Sequence, residues 1–127
     1  MKDIKFRAWS DEDKQMLYGL DAIVGEYDGY KYNLNDIDEL PIMQYTGLND
    51  CKGREVYEGD IILYNGFYIG DHREDGGRGV VKFTNGSYDV HIENKSQHEL
   101  WNIVNNCCGE VVGNIYENFE LLEVKHG

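Results

Sequence analysis

Apolar and polar residues alternate along much of this chain, and the alternation predicts strands. In Ile4–Trp9, Ile4, Phe6 and Ala8 share one face while Lys5, Arg7 and Trp9 share the other. The polar run Ser10–Lys14 reads as a connection and Gln15–Leu20 as a second strand, which together make an N-terminal hairpin. Residues 21–39, with Gly25, Gly29 and scattered acids, read as short strands and loop. Leu40–Thr46 is a further strand, with Pro41 near its start, where a missing donor does least harm.

The clearest pattern lies in Gly79–Glu93, which contains Asn85-Gly86, a dipeptide suited to a two-residue type I′ turn. A turn there pairs Thr84 with Ser87, Phe83 with Tyr88, Lys82 with Asp89 and Val81 with Val90. One face becomes apolar, and the other sets Lys82 across from Asp89, a charge pair worth ~0.2–1 kcal/mol. A slip of one residue would exchange the faces. Asn65-Gly66 offers the same turn between Asp60–Tyr64 and Phe67–Gly70, strands apolar on both faces and therefore central in a sheet or barrel wall. Between these two hairpins Asp71–Gly79 has no hydrophobic residue and reads as a mobile, solvated loop. Leu100, Ile103 and Val104 have helical spacing within Glu99–Asn106, a short helix. Glu110–Glu117 is a last strand, and Asn118–Glu123 closes the chain. The elements predict a mainly β protein of compact antiparallel sheets, or a small barrel-like fold, with one or two short helices.

Length and composition fit this picture. At 127 residues, 41% of them hydrophobic, the chain suffices for one domain over 1–127, or for an N-terminal segment 1–40 packed on a barrel-like segment 41–127. No apolar run reaches the ~20 residues of a membrane span. Met1–Lys5 leads into no apolar signal core, so an intracellular protein is expected. Cys51, Cys107 and Cys108 are odd in number, with two of them adjacent, and read as reduced structural thiols. The net charge of −12 is spread along the whole chain. It argues against a direct grip on nucleic acid, which needs clustered Lys and Arg to displace phosphate counterions.

Val56-Tyr57-Glu58-Gly59 is echoed by Ile115-Tyr116-Glu117-Asn118. Gly59 and Asn118 are the residue types that most readily accept positive φ, so both copies read as corner pieces of a sheet. Asn65, Gly66, Asn85 and Gly86 are the other structural turn positions. Among chemically capable groups, Asp89, His91 and Glu93 alternate along one strand and form a candidate surface site. They can bind a metal or share acid–base work, or simply form the polar face of a half-exposed strand. The glycine-rich run after His72-Arg73-Glu74-Asp75 lacks the Gly-Lys-Ser/Thr element of a phosphate loop. No catalytic residue, cofactor site or metal site is assigned.

With Lys5–Trp9, Met43–Ile61 and Gly109–Leu122 in that order, the chain resembles the YopX family, small proteins encoded by phages and prophages. Cys51 within the Asn-Asp-x-Lys-Gly turn and Phe119 after Glu117-Asn118 depart from the family pattern. The resemblance implies a mostly β fold, a phage or prophage origin and the host cytoplasm, with no defined activity and no catalytic residues to carry over. A non-enzymatic accessory protein that binds a host or phage protein is the first expectation, and open strand edges would also allow a homo-oligomer. The alternatives are an acidic DNA mimic that blocks a DNA-binding enzyme, and a small enzyme or metal-binding protein built around Asp89, His91 and Glu93.

Overall fold

The computed structural model describes residues 4–11, 13–19, 26–27, 30–31, 42–92 and 97–122. Pro41, Glu93 and most of the segment 21–39 lie outside the described residues. The protein is mostly β and antiparallel, its sheets include a half-barrel, and it has a single α-helix among the described residues. It divides into two compact units, Met1–Gly47 and Leu48–Gly127.

In the first unit, β1 (Phe6–Ser10) pairs with β2 (Gln15–Tyr18) in the register Arg7↔Tyr18 to Ser10↔Gln15, so the N-terminal hairpin forms. Its turn is tied by the Ser10 hydroxyl oxygen, which accepts the Asp13 N–H at 3.2 Å, and by Lys14 at a φ of 54°. The strand β5 (Ile42–Asn49) lies on the other side of β1, with Ala8 opposite Ile42. Both faces of this central strand are buried, since Arg7 and Trp9 are enclosed along with Ala8. Between them in the chain, β3 (Glu26–Tyr27) and β4 (Tyr30–Lys31) form a two-residue ribbon.

The second unit begins with the last residues of β5 and then β6 (Glu55–Tyr57). Next come β7 (Asp60–Tyr64), β8 (Phe67–Ile69), β9 (His72–Glu74), β10 (Gly77–Thr84), β11 (Ser87–His91) and β12 (His98–Glu99). The helix α1 (Leu100–Asn106), β13 (Glu110–Asn114) and a 3-10 turn (Phe119–Leu122) complete it. Five strands form one sheet in the order β12-β11-β10-β7-β13. One face of it carries Ile62, Tyr64, Val81 and Val90 against Leu100, Ile103 and Val104 of α1, with Val56 and Cys107 completing the core. Each aliphatic side chain buried there contributes ~1.5–3 kcal/mol, so this face holds the unit together.

The β10–β11 hairpin has the predicted register residue for residue, from Thr84↔Ser87 to Val81↔Val90. Asn85 and Gly86 both have positive φ, 52° and 86°, as a type I′ turn requires. One detail differs. Among the described residues no ion pair joins Lys82 to Asp89; Asp89 is buried and bound by hydroxyls, while Lys82 is exposed.

Three other expectations are corrected. Asn65-Gly66 is not a hairpin turn, because β8 pairs with β9 and β7 with β10 and β13. Neither residue has positive φ. The Asn65 N–H donates to the Cys107 carbonyl at 2.9 Å instead, and a Cβ on Gly66 would meet the Glu74 carbonyl oxygen at 2.9 Å. The run Asp71–Gly79 is likewise not a free loop but β9 and the start of β10. Two of its three glycines serve close packing: a Cβ on Gly76 would collide with the Tyr64 carbonyl oxygen, and one on Gly79 would meet the Val90 Cγ1 at 2.5 Å. Finally, Gly59 has a φ of 85° but Asn118 is not left-handed, so the two corners are not equivalent.

Candidate functional site

The predicted polar strand face is a hydrogen-bonded cluster. Asp89 accepts from the Thr84 hydroxyl through Oδ2 at 3.0 Å and from the Ser87 hydroxyl through Oδ1 at 3.2 Å. The His91 Nε2 lies 3.1 Å from the Thr84 Oγ1. A hydroxyl has one proton, and Thr84 gives it to the carboxylate, so the imidazole donates its Nε2 proton to Thr84. Activating a hydroxyl as a nucleophile needs the reverse, an imidazole that takes the proton. The cluster therefore spends its hydrogen-bonding capacity on bracing the hairpin. Glu93 lies outside the described residues, and among those described no group of three or more His, Cys, Asp and Glu side chains converges as a metal site.

The two Tyr-Glu corners meet, because Asp60 at the start of β7 pairs with Asn114 at the end of β13. The Ile115 N–H donates to the Gly59 carbonyl at 3.0 Å. At the first corner Asp60 accepts the Tyr57 N–H at 2.8 Å. At the second, the Asn114 Oδ1 accepts the N–H groups of Tyr116 and Glu117 at 3.0 and 2.9 Å. The Asn118 Oδ1 accepts the Asn114 N–H at 3.2 Å and folds over Gly113, where a Cβ would meet it at 2.5 Å. Asn118 thus shapes its corner through its side chain, which is why its backbone needs no left-handed φ.

A further acid braces the sheet edge. The Asp50 Oδ1 accepts the N–H groups of Lys52 and Arg54 at 2.9 and 2.8 Å, and its Oδ2 accepts the Val111 N–H at 2.8 Å. The Cys51 N–H donates to the Gly109 carbonyl at 3.0 Å, and the Arg54 guanidinium reaches the Val111 carbonyl at 3.4 Å. The turn after β5 therefore covers the outer edge of β13 with side-chain partners, a guard against edge-to-edge association.

On the opposite flank of the sheet, β8, β12 and α1 enclose a cleft of about 540 Å³. Phe67, Tyr68 and Ile69 of β8 form one wall, and His98 and Glu99 of β12 another. Asn102 and Asn106 of α1 line it as well, and the buried Cys107 thiol lies deeper. The Phe67 and His98 rings meet edge-on with centroids 5.0 Å apart. Tyr68 is 67% exposed and Ile69 56%. The helix Leu-Trp-Asn-Ile-Val-Asn-Asn has no charged residue, and its Trp101 is 53% exposed. Burial, and secondarily the neighbouring Cys108, raise the Cys107 thiol above its usual range, so it is a poor nucleophile at neutral pH. Tyr57 and Tyr116 do not line this cleft.

None of the cleft residues was singled out by the sequence as a site. The available signal was weak: an uncharged helix surface of Trp and Asn in a chain of net charge −12.

The fold and its polar groups define a small antiparallel-β protein whose buried acids are committed to bracing turns, beside an open apolar and amide-lined cleft. Its family follows from a match over residues 5–123 to the family described as "YopX protein". The chain belongs to the YopX family. A similar solved structure is protein EF1440 from Enterococcus faecalis, 28% identical, with a TM-score of 0.66 over 97% of this chain and 100% of that one. Protein yopX from Bacillus subtilis, 21% identical, matches with a TM-score of 0.62 over 95% of this chain and 97% of that one, and shows the same fold. No curated protein matches. No helix among the described residues is long and apolar enough to cross a membrane.

Proposed function

We propose that this is a phage or prophage accessory protein that acts without catalysis, in the cytoplasm of its bacterial host, by binding another protein. The observation that carries the reading is the cleft. Exposed Tyr68 and Ile69, with the amides of Asn102 and Asn106, form an apolar and hydrogen-bonding surface on a chain of strongly negative charge. Aromatic anchors within a polar rim are the usual anatomy of a protein interface. An enzymatic reading has less support, because the Asp89, Thr84 and His91 groups spend their hydrogen bonds on one another. Asp50, Asp60 and Asp89 are buried and cannot join a surface row of charges, so they lend nothing to mimicry of DNA.

The test is co-purification of the tagged protein from lysogenic cells, with the Tyr68→Ser, Ile69→Ser double variant alongside. A discrete protein retained by the wild type and lost by the variant is expected. Recovery of nucleic acid without a protein partner would overturn the reading.

A further inference from the structure

The way the cleft is lined says how it is approached. Successive residues of a strand point to opposite faces, so a cavity against one face of a strand touches every second residue. This cleft touches Phe67, Tyr68 and Ile69 in succession, and both His98 and Glu99. Its walls are therefore strand edges rather than strand faces. Both edges are open among the described residues. There β8 pairs only with β9, β12 pairs only with β11 as the outermost strand of its sheet, and neither has a further backbone partner. An open edge presents unpaired N–H and C=O groups that recognise an added strand. The volume, about 540 Å³, falls within the ~300–1,000 Å³ typical of ligand clefts.

Charge narrows the occupant. Among the described residues Glu99 is the one carboxylate in the lining, and no Lys or Arg of those residues lines the cleft. The nearest cation on this ribbon, Arg73, lies over the Tyr68 ring at 5.9 Å and sits 3.7 Å from Asp75. With a net charge of −12 behind it, the cleft favours a basic segment over an acidic one.

We infer that the cleft between β8 and β12 takes an extended peptide segment of a partner protein, with alternating basic and apolar residues, added as a strand to an open edge. The inference rests on the protein-binding reading and names what that surface recognises. The basic side chains face Glu99 and the apolar ones pack on Phe67, Tyr68 and Ile69. The Asn106 Nδ2 already donates to the Asn102 Oδ1 at 2.7 Å, so the Asn102 Nδ2 and the Asn106 Oδ1 meet the peptide backbone.

The experiment uses the full chain, isotope-labelled, and a terminally blocked hexapeptide of alternating lysine and valine followed by amide chemical shifts. Shifts centred on Phe67–Ile69, His98–Glu99, Asn102 and Asn106 are expected. Methylating one alternate set of the peptide's amide nitrogens should weaken binding at least tenfold, because a strand seated on an edge uses alternate amides for pairing. Glu99→Gln should weaken it about threefold while leaving the protein's spectrum otherwise unchanged, and a glutamate-valine peptide should give no shifts. Shifts centred elsewhere, no binding at millimolar peptide, or equal insensitivity to methylation of either set would overturn the inference. The two readings fail separately. A protein partner lost on Tyr68→Ser, Ile69→Ser while the hexapeptide leaves the lining unmoved would sink the strand inference alone, and absence of any protein partner would sink the proposed function.

Discussion

The two outer edges of the five-stranded sheet are finished in opposite ways. At β13 the turn after β5 supplies a buried carboxylate, a guanidinium and a backbone N–H to the edge, and a bulge between Val111 and Gly113 breaks its regularity. At β12 the edge is two residues long, has no such cover among the described residues and opens into the cleft beside exposed Tyr68 and Ile69. Bare edges invite association, and closing one with this many partners while leaving the other open would, on the proposed reading, separate stability from recognition. Substitutions at the closed edge should therefore cost stability, and those at the open edge should not.

The largest effect is expected at Asp50. Asp50→Ala removes the acceptor of the Lys52, Arg54 and Val111 N–H groups together. Charge-assisted bonds contribute ~1.5–3 kcal/mol each, and partial rehydration of an edge offsets part of the loss, so a fall of about 3 kcal/mol in urea unfolding is expected. The uncovered β13 edge should also shift the protein toward higher-mass species in size-exclusion chromatography. A stability change under about 0.5 kcal/mol, typical of a neutral surface site, would show that the edge is closed by something else.

Gly113→Ala tests the same edge from its bulge. The added Cβ would sit 2.5 Å from the Asn118 Oδ1 and 2.8 Å from the Asn118 Cβ, so the whole side chain must shift. A loss of about 2 kcal/mol is expected from overpacking, with weaker hydrogen-exchange protection at Asn114. At the hairpin next to the open edge, Thr84→Val removes the hydroxyl between Asp89 and His91 but leaves Ser87 on the carboxylate. A loss of about 1 kcal/mol in urea unfolding is expected.

How far these features could be read from the sequence depended on how local their causes are. The Asn85-Gly86 register was legible because turn and flanking strands are contiguous, and Leu100, Ile103 and Val104 showed their helix by spacing alone. Asn65-Gly66 offered the same dipeptide, but its Asn65 N–H is claimed by Cys107, a partner distant in the chain. The glycines of Asp71–Gly79 looked like loop residues because nothing in a sequence separates glycine for flexibility from glycine for close packing. Asp50 stood in a recognisable turn, yet its bond to Val111 crosses 61 residues. The cleft was invisible for a related reason: it has no charged cluster or motif, and two bare edges come together only once both ribbons are placed.

Alkaline pH gives a smaller effect on the open side. Burial is the first cause that raises both the Cys107 thiol and the Tyr64 phenol above their usual ranges. A group whose folded pKa is raised stabilises the protein fully below its unfolded pKa, and the contribution fades as pH climbs through the folded value. Thermal stability should hold up to about pH 8.5, the ordinary thiol range, and then decline. Exposed Cys51 and Cys108 should react with iodoacetamide in the native state while Cys107 is spared until unfolding. Equal labelling of all three cysteines would contradict the burial of Cys107 beneath the cleft.

The smallest effect is the most discriminating, because it is an expected absence of change where apolar side chains are removed. Tyr68 and Ile69 are more than half exposed, so replacing both with serine gives up little burial. Surface changes of this kind fall within ~0.5 kcal/mol. The Arg73 guanidinium over the Tyr68 ring adds at most ~0.5–1 kcal/mol at an exposed site, and Arg73 keeps Asp75 nearby when the ring is lost. Unfolding of the Tyr68→Ser, Ile69→Ser variant should therefore track the wild type to within about 1 kcal/mol. If it instead matched the loss at Asp50, the β8 wall would be among the elements that hold the unit together. The contrast between a closed structural edge and an open binding edge would then fail, because apolar side chains that stabilise the free protein need no partner to explain them.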